Sequence, residues 1–272
     1  MTLILGAALQ EADASPHAPL YAQARAEFEH GARLRDTDPA LARQHFHRAG
    51  EYFDRLRQQG VHHPTLELQR GNAYFLAGDV PRAILAYRAG LWLAPHDAAL
   101  RARLADARGQ VAWSTTDKLG QPPEDNWPPW LPRVAPEVLL GLAGFFYSLF
   151  CVSITRWGMT RWSGWLESGA VTLLLTIAAT GGWLAQEWQR GREKQYPVVV
   201  IAEDGILLRK GNGMAYAPRY DTPLARGVEG HLLRQRGDWL HIELASGQTG
   251  WVLRQWVVDD PPSTAPGANA SG

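Results

Sequence analysis

The chain has 272 residues, and its 27 basic and 27 acidic side chains give a formal charge of zero. This length allows one to three domains, and a core of ordinary size needs no metal or disulfide framework. Balanced charge gives no general attraction to nucleic acid, and a single cysteine excludes both an intramolecular disulfide and a two-cysteine metal site. We therefore expect several modules and no nucleic-acid partner.

Residues 1–20 begin with a short apolar run, Leu3 to Leu9, followed by small and acidic residues. No Lys or Arg precedes the run, and its length is at the lower limit for the apolar part of a signal peptide. We interpret the segment either as the remnant of a signal peptide or as a disordered N-terminus, and its residues do not decide between the two.

Residues 21–113 are rich in Ala, Leu, Arg and Glu, with apolar residues at helical spacing, which predicts a domain of packed helices. The most informative part is PTLELQRGNAYFLAGDVPRAILAYRAGLWLAP, Pro64 to Pro95. Small residues there would let two antiparallel helices approach closely, tyrosines would fill the space between them, and a Gly-Asp pair would form the turn. The predicted packing residues are Gly71, Tyr74, Gly78, Ala83, Tyr87, Gly90 and Pro95.

This spacing resembles a tetratricopeptide repeat, a helix-turn-helix unit of 34 residues. Glu67 and Arg70 depart from the pattern, since the family has Trp and Leu at these positions. One repeat cannot bury its own apolar face, so further helices are expected in ALARQHFHRAG upstream and DAALRARLADARGQVAW downstream. A plain helical bundle is the alternative. A partner-binding surface is expected on the concave helices, around Arg70 and Arg101.

Residues 114–136 contain six prolines and cannot continue a helix, so they are interpreted as a linker. We expect a stiff spacer near lipid headgroups, with Trp127 and Trp130 as anchors. The alternative is that PPWLP is a polyproline ligand for an aromatic groove.

Two uncharged runs follow, Val138 to Ile154 and Gly169 to Ala185, each of 17 residues. Both are apolar on all sides and are flanked by Trp and Arg, which favours membrane spans over the helices of a soluble core. We predict transmembrane helices at 137–157 and 168–188, each just long enough to cross a hydrocarbon layer of about 30 Å. Neither of the two 17-residue runs contains Asp, Glu, Lys, Arg or His, which disfavours a transporter or a pump.

Small residues in the first span predict how the two helices meet. Gly141, Gly144 and Ser148 are expected to contact the second span around Ala178 and Gly181 or Gly182. The resulting hairpin would put the parts of the chain before and after it on the same side of the membrane. Basic residues do not decide which side, because there are two in the connection and four in the flanks.

Residues 196–260 alternate apolar and polar side chains between glycine turns, which predicts a small barrel of five or six short strands. The run GDWLHIELASGQTGWV resembles the end of bacterial SH3-like domains. The candidate ligand contacts are Tyr216, Tyr220, Trp239 and Trp251, although the two loop tyrosines could instead pack on their own barrel. Residues 261–272 are expected to form a disordered tail.

The motifs HExxH and GxSxG and a phosphate-binding loop are all missing from the sequence. We therefore predict that the protein is not an enzyme, with no catalytic residues, no metal site and no cofactor.

The predicted fold class is multidomain α + β, with an α-helical tetratricopeptide-repeat domain, two transmembrane helices and a small SH3-like β-barrel. This order of parts resembles the BatE-like proteins of the bacterial aerotolerance operon. The resemblance implies a multi-pass protein of the bacterial inner membrane whose soluble domains face the periplasm. It also implies partners among von Willebrand A-domain membrane proteins or a MoxR-type ATPase system.

Three functions are compatible with these observations. The first is a non-catalytic adaptor of the cell envelope that binds a partner protein through the helical repeats and a second ligand through the barrel. The alternative is an envelope sensor whose barrel binds peptidoglycan. An unrecognised hydrolase is the third.

Overall fold

The computed structural model describes residues 17–113 and 136–260, together with Leu119 and Gln121. The predictions for the N-terminal segment up to residue 16, for the linker before Pro136 and for the tail from residue 261 lie outside this part of the chain. Within it, seven α-helices and a five-stranded antiparallel sheet give a mixed α/β protein. The chain divides into two compact units, Met1–Glu124 with Pro197–Gly272 and Asp125–Tyr196, and each is described by itself.

Five helices open the first unit, and side-chain caps fix where several of them begin. The side chains of Asp38, Asp79 and Asp97 each accept a hydrogen bond from a backbone N–H of the following first turn. These bonds satisfy donors that have no partner inside the helix. The helices are α1 (Ala18–Leu34), α2 (Pro39–Gln58), α3 (Pro64–Ala77), α4 (Val80–Leu93) and α5 (Ala98–Gly109).

Successive helices pack closely because a glycine on one of them faces a large side chain on the next. A Cβ atom on Gly71 of α3 would lie 2.3 Å from the ring of Tyr87 on α4. The same atom on Gly90 would lie 2.7 Å from Leu100 of α5. Tyr74 belongs to one buried cluster with Ala83 and Ile84 of α4, and its ring also lies against Gly50 of α2, a contact that the sequence did not predict.

The turn between α3 and α4 has the form that the sequence predicts. Gly78 has φ +80°, a left-handed conformation that favours glycine, and it ends α3. Asp79 then caps α4. Ala83 is fully buried on α4, and Pro95 comes two residues after that helix ends at Leu93.

The sheet completes the first unit. Its strands are β1 (Val198–Ile201), β2 (Glu229–Arg236), β3 (Trp239–Leu244), β4 (Thr249–Leu253) and β5 (Val257–Asp259), in the spatial order β4-β3-β2-β1-β5. On β3, Leu240, Ile242 and Leu244 are buried, whereas the residues between them point to the other face. The alternation in LHIEL therefore sets which side of the sheet forms the core.

The second unit is a helical hairpin of α6 (Pro136–Thr160) and α7 (Ser163–Gln195). Glu137–Thr160 and Ser163–Ala185 have mean hydropathies of 2.0 and 1.5, and only 11% and 6% of each is buried. By length and composition, both helices could cross a membrane. Their apolar surface is mostly exposed, unlike that of a core helix in a soluble protein.

The contact between α6 and α7 does not use the small residues predicted on the first span. Gly141 and Gly144 have open space where a Cβ atom would lie, and Ser148 is exposed. The buried small residues are Ala143 and Ser153 on α6 and Gly169 and Ala179 on α7. The Ser168 hydroxyl donates to the Ser153 oxygen at 3.2 Å. Helix α6 therefore has two rows of small residues, and their spacing in the sequence does not show which row contacts α7. Gly182 does approach the other span, where a Cβ atom would lie 3.7 Å from Leu139.

We expect Gly71→Ala to lower the free energy of unfolding by about 1–3 kcal/mol, because the added methyl group meets the buried Tyr87 ring. The matched control is Gly109→Ala at the end of α5, where nothing lies within 4 Å. Chemical denaturation of the full chain in detergent would compare the two. Equal stability of both variants would contradict the close contact of α3 and α4.

Candidate functional site

The helices and the sheet of the first unit share one hydrophobic core. Val200 and Ile201 of β1 belong to the same buried cluster as Ile84 and Leu85 of α4. Just before β2, Gly227 allows a close approach, since a Cβ atom there would lie 2.6 Å from Val111. The two modules therefore meet in a packed junction, which is our candidate functional site.

Glu229 is the buried charge at the centre of this junction. It is the first residue of β2 and is 3% exposed. Arg108 of α5 donates to both of its carboxylate oxygens, from Nε at 2.6 Å and from Nη2 at 2.9 Å. Arg88 of α4 donates from Nη1 at 2.6 Å. A carboxylate of the sheet is thus held by two cations of the helical module.

Electrostatics keep Glu229 ionised in this position. Burial alone would raise the pKa of its carboxyl group, but Arg88 and Arg108 outweigh burial, and the pKa lies below its ordinary value. A buried carboxylate without such partners would be costly. Glu229 can therefore be buried where β2 packs against α4 and α5 because the two arginines pair with it.

A second charged contact joins the C-terminal end of the sheet to the helices. Arg70 of α3 is 2% exposed and donates to both carboxylate oxygens of Asp260. It also donates to Asp54 of α2 at 3.2 Å and pairs with Glu67 at 3.0 Å. Burial opposes the charge on Arg70, but Asp260 and Glu67 outweigh it, so its pKa lies above the ordinary value. Arg57 pairs with Asp260 as well, at 2.9 Å.

The predicted partner surface around Arg70 and Arg101 is therefore wrong for Arg70. Its guanidinium lies inside the junction, because Asp260 after the last strand of the sheet reaches it across 190 positions of sequence. Arg101 donates to the backbone oxygens of His96 and Asp97 at the start of its own helix. Both guanidinium groups therefore have hydrogen-bond partners within the first unit.

A cleft of about 460 Å³ lies beside this contact, between α2, α3, α4 and the end of the sheet. Asp54 and Tyr74 line it, and the tyrosine hydroxyl donates to the carboxylate. Burial raises the pKa of Asp54, and the Arg70 charge lowers it by less. Arg82 covers the Tyr74 ring at 5.5 Å and donates to His47 at 2.9 Å. The cleft has charges of both signs, and most of these charges already have partners in the protein.

The sheet carries an aromatic face on the side away from the core, formed by Trp239, His241 and Trp251. Trp239 and His241 occupy alternate positions on β3, and Trp251 of β4 pairs directly with His241. The rings of His241 and Trp251 are stacked with centroids 4.9 Å apart. Two of the four predicted ligand contacts, Trp239 and Trp251, thus share one face.

The two predicted tyrosines have other surroundings. Tyr216 is 52% exposed, and its ring lies over Gly211 in its own loop. Tyr220 is partly buried against the hydrophobic core, with Arg219 at 6.0 Å from its ring centre. The loop is fixed by Arg209, which donates to the backbone oxygens of Met214 and Tyr216.

His241 was missed by the sequence analysis, although its place between Trp239 and Glu243 in an alternating strand was a signal. Burial lowers the pKa of its imidazole, and the charges of Arg219 and Arg234 lower it further. Two guanidinium groups therefore lie near the stacked pair. This face therefore combines flat rings with two guanidinium groups and the carboxylate of Glu243.

The part of the chain that the structure describes contains no group of three or more His, Cys, Asp or Glu residues that could hold a metal ion.

Comparisons with known proteins give one partial similarity. No family model matches the chain, and no solved structure matches it. Over 68 residues it is 35% identical to "Putative N-acetylmuramoyl-L-alanine amidase YrvJ" of Bacillus subtilis (strain 168). The match covers 24% of this chain and 12% of that protein.

We expect Glu229→Gln to lower the free energy of unfolding of the first unit by about 3 kcal/mol, because it leaves Arg88 and Arg108 without their shared charge. Glu203→Gln is the control, an exposed carboxylate on the same module. Denaturation of the full chain in detergent, followed by near-ultraviolet circular dichroism, would measure both. If Glu229→Gln lowered the free energy of unfolding no more than the control does, the buried ion pairs would contribute little to stability.

The contribution of Glu229 to the free energy of unfolding should also depend on pH. Its folded pKa lies below the ordinary value of 4.5, so the unfolded state binds the proton more readily. The stabilisation should be complete above about pH 4.5 and should be lost as the pH falls through the lower folded value. The stability difference between the wild type and Glu229→Gln should therefore stay constant at neutral pH and shrink in acid. A difference that grew in acid would contradict this assignment.

Proposed function

We propose that the protein is a non-catalytic adaptor anchored in a bacterial inner membrane. In this proposal the helices are tetratricopeptide repeats that bind a partner protein, and the SH3-like barrel binds a second ligand. The observation that carries it is the junction of Glu229 with Arg88 and Arg108, which joins two modules of binding type into one unit. A partner on the repeats and a ligand on the barrel would then be held in a fixed relation.

The repeat assignment is supported by the packing of glycines against large side chains at Gly71 and Gly90. It also accounts for the two departures from the family pattern. Glu67 and Arg70 stand where apolar residues are expected, and both belong to the charged contact with Asp260. In this proposal the polar pair replaced apolar residues because the barrel docks at that place.

A surface between α3 and α5 is the proposed partner site, and we call it the α3–α5 surface. It consists of Asn72, Arg103 and Asp106. Asn72 accepts a hydrogen bond from the Tyr87 hydroxyl at 2.9 Å, and the charges of Arg103 and Asp106 act on the same hydroxyl. The side chains of Arg103 and Asp106 are 53% and 56% exposed. This surface takes the place of the one predicted around Arg70.

Reversing one charge on this surface should weaken the partner complex. We expect Arg103→Glu to reduce the affinity of the full chain for a von Willebrand A-domain membrane protein of the same bacterium by about tenfold, or about 1.4 kcal/mol. Arg25→Glu on α1, with a side chain 67% exposed, is the control. Surface plasmon resonance in detergent would measure both. An unchanged affinity for Arg103→Glu would exclude this surface, and no binding by the wild type would exclude this partner.

The membrane part of the proposal rests on the two apolar helices of the second unit. We propose that they span the bilayer as a hairpin and that the rest of the chain faces the periplasm. A reporter that is active only in the periplasm, fused after Gly272, should be active. An inactive reporter on a folded protein would show that Gly272 lies on the cytoplasmic side and would contradict the proposed orientation.

A second candidate function is peptidoglycan binding by the barrel, and the 68-residue similarity to an amidase of peptidoglycan favours it. The stacked His241 and Trp251 rings, with arginines nearby, would contact sugar rings and peptide carboxylates.

Trp251→Ala should then reduce sedimentation of the full chain with purified peptidoglycan by about tenfold, since it removes the stacking ring. Trp92→Ala is the matched control, because Trp92 is an exposed tryptophan of the helical module. Equal losses in both variants, or no binding by the wild type, would count against this function.

A further inference from the structure

The turn between α6 and α7 carries a cluster of arginine and tryptophan. The Arg156 guanidinium lies over the Trp165 ring at 5.6 Å from its centroid, and the Arg161 guanidinium lies over the Trp157 ring at 5.5 Å. Trp162 meets Trp165 edge to face at 6.2 Å. Arg156 belongs to α6 and Trp165 to α7, so the first of these contacts crosses the end of the hairpin. We call these five residues the hairpin tip.

The two guanidinium groups have no acidic partner at the tip. Among the residues that the structure describes, no ion pair and no hydrogen bond joins the side chain of Arg156 or Arg161 to a carboxylate. Glu167 is the acidic residue on this part of α7; it is exposed and pairs with neither arginine. An aromatic ring covers one flat side of a guanidinium and leaves the N–H groups at its edge free to donate. Both arginines can therefore bind an oxyanion without breaking a protein contact.

The position of the tip indicates which oxyanion would be present. It lies at one end of Glu137–Thr160 and at the start of Ser163–Ala185, the two helices long enough to cross a membrane. Tryptophan at such an end favours the level of the lipid headgroups. The anion concentrated at that level is the lipid phosphate, and negative lipids attract arginine near the surface by about 1 kcal/mol per residue.

We propose that the hairpin tip binds the phosphate of an anionic phospholipid, with Arg156 and Arg161 as donors and the tryptophan rings holding them in place. This inference rests on the proposed membrane insertion of α6 and α7. An anionic lipid is preferred over a zwitterionic one because the tip has two cations and only Glu167 to offset them. A zwitterionic headgroup also brings its own ammonium group, which competes for the same phosphate.

The test uses the full chain reconstituted in bilayers of phosphatidylcholine with graded amounts of phosphatidylglycerol. Electron paramagnetic resonance of spin-labelled lipids measures the ratio of the association constants of the two lipids for the protein. The wild type should prefer phosphatidylglycerol. The double variant Arg156→Gln with Arg161→Gln should lose this preference, by up to about fivefold for each arginine.

Three controls make the result specific. Arg25→Gln with Arg33→Gln on α1 removes the same charge from exposed positions of the other unit and should keep the preference. Arg156→Lys with Arg161→Lys keeps the charge but loses the planar donors and should show an intermediate ratio. Trp165→Leu keeps both charges and an apolar anchor while removing one ring, and should weaken the preference less than the double variant.

Equal ratios for the wild type and the double Gln variant would overturn the proposal. A preference abolished by soluble inorganic phosphate would also overturn it, since the lipid would then not be the selected ligand. Extraction of the same samples at alkaline pH tests whether the protein is inserted in the bilayer, independently of its lipid preference. Release of the wild type from the bilayer would contradict the membrane hairpin, whereas retention without lipid preference would contradict the tip site alone.

Discussion

Glu229 has almost no contact with water, and a carboxylate in that position needs cations close to it. The sheet supplies the carboxylate, whereas Arg88 and Arg108 come from the fourth and fifth helices. A similar pair lies at the other end of the contact, where Asp260 follows the last strand and Arg70 belongs to the third helix. In this pair the arginine is the buried partner. Each module therefore supplies the opposite charge for a buried group of the other module. The burial of each charged group depends on the presence of the other module.

This dependence has consequences for function. Buried ion pairs give weak net stability but strongly disfavour arrangements in which one partner is lost. The junction thus favours one relative placement of the helices and the sheet over a loosely tethered pair. The aromatic face of the sheet and the α3–α5 surface of the helices are not part of the junction, so both stay available while the junction is intact. The proposed adaptor, which would hold two ligands in a set relation, needs this combination.

Local features of the fold could be predicted from sequence because they depend on neighbouring residues. Gly78 and Asp79 form a turn for reasons contained in the turn itself, and Gly71 needs only the helix that follows it. The buried face of β3 follows from its alternating side chains. The apolar helices were visible from composition alone.

The charged junction could not be predicted in this way. Arg70 has the sequence context of a surface arginine on a helix, and its burial depends on Asp260, which lies 190 positions later. Glu229 is separated from Arg88 and Arg108 by 141 and 121 positions, and no local pattern pairs them. The choice between two rows of small residues on the sixth helix also depends on how whole side-chain surfaces fit, as the exposed Gly141 and buried Ala143 show.

The central claim is that the helices and the sheet of the first unit behave as one body. Hydrogen exchange of the full chain in detergent, resolved by mass spectrometry, measures it most directly. The account predicts that the amides of Val80–Leu93 on the fourth helix and of Glu229–Arg236 on the second strand open with the same free energy and respond together to denaturant. Opening of the strand at a clearly lower free energy, while the helix stays protected, would contradict it.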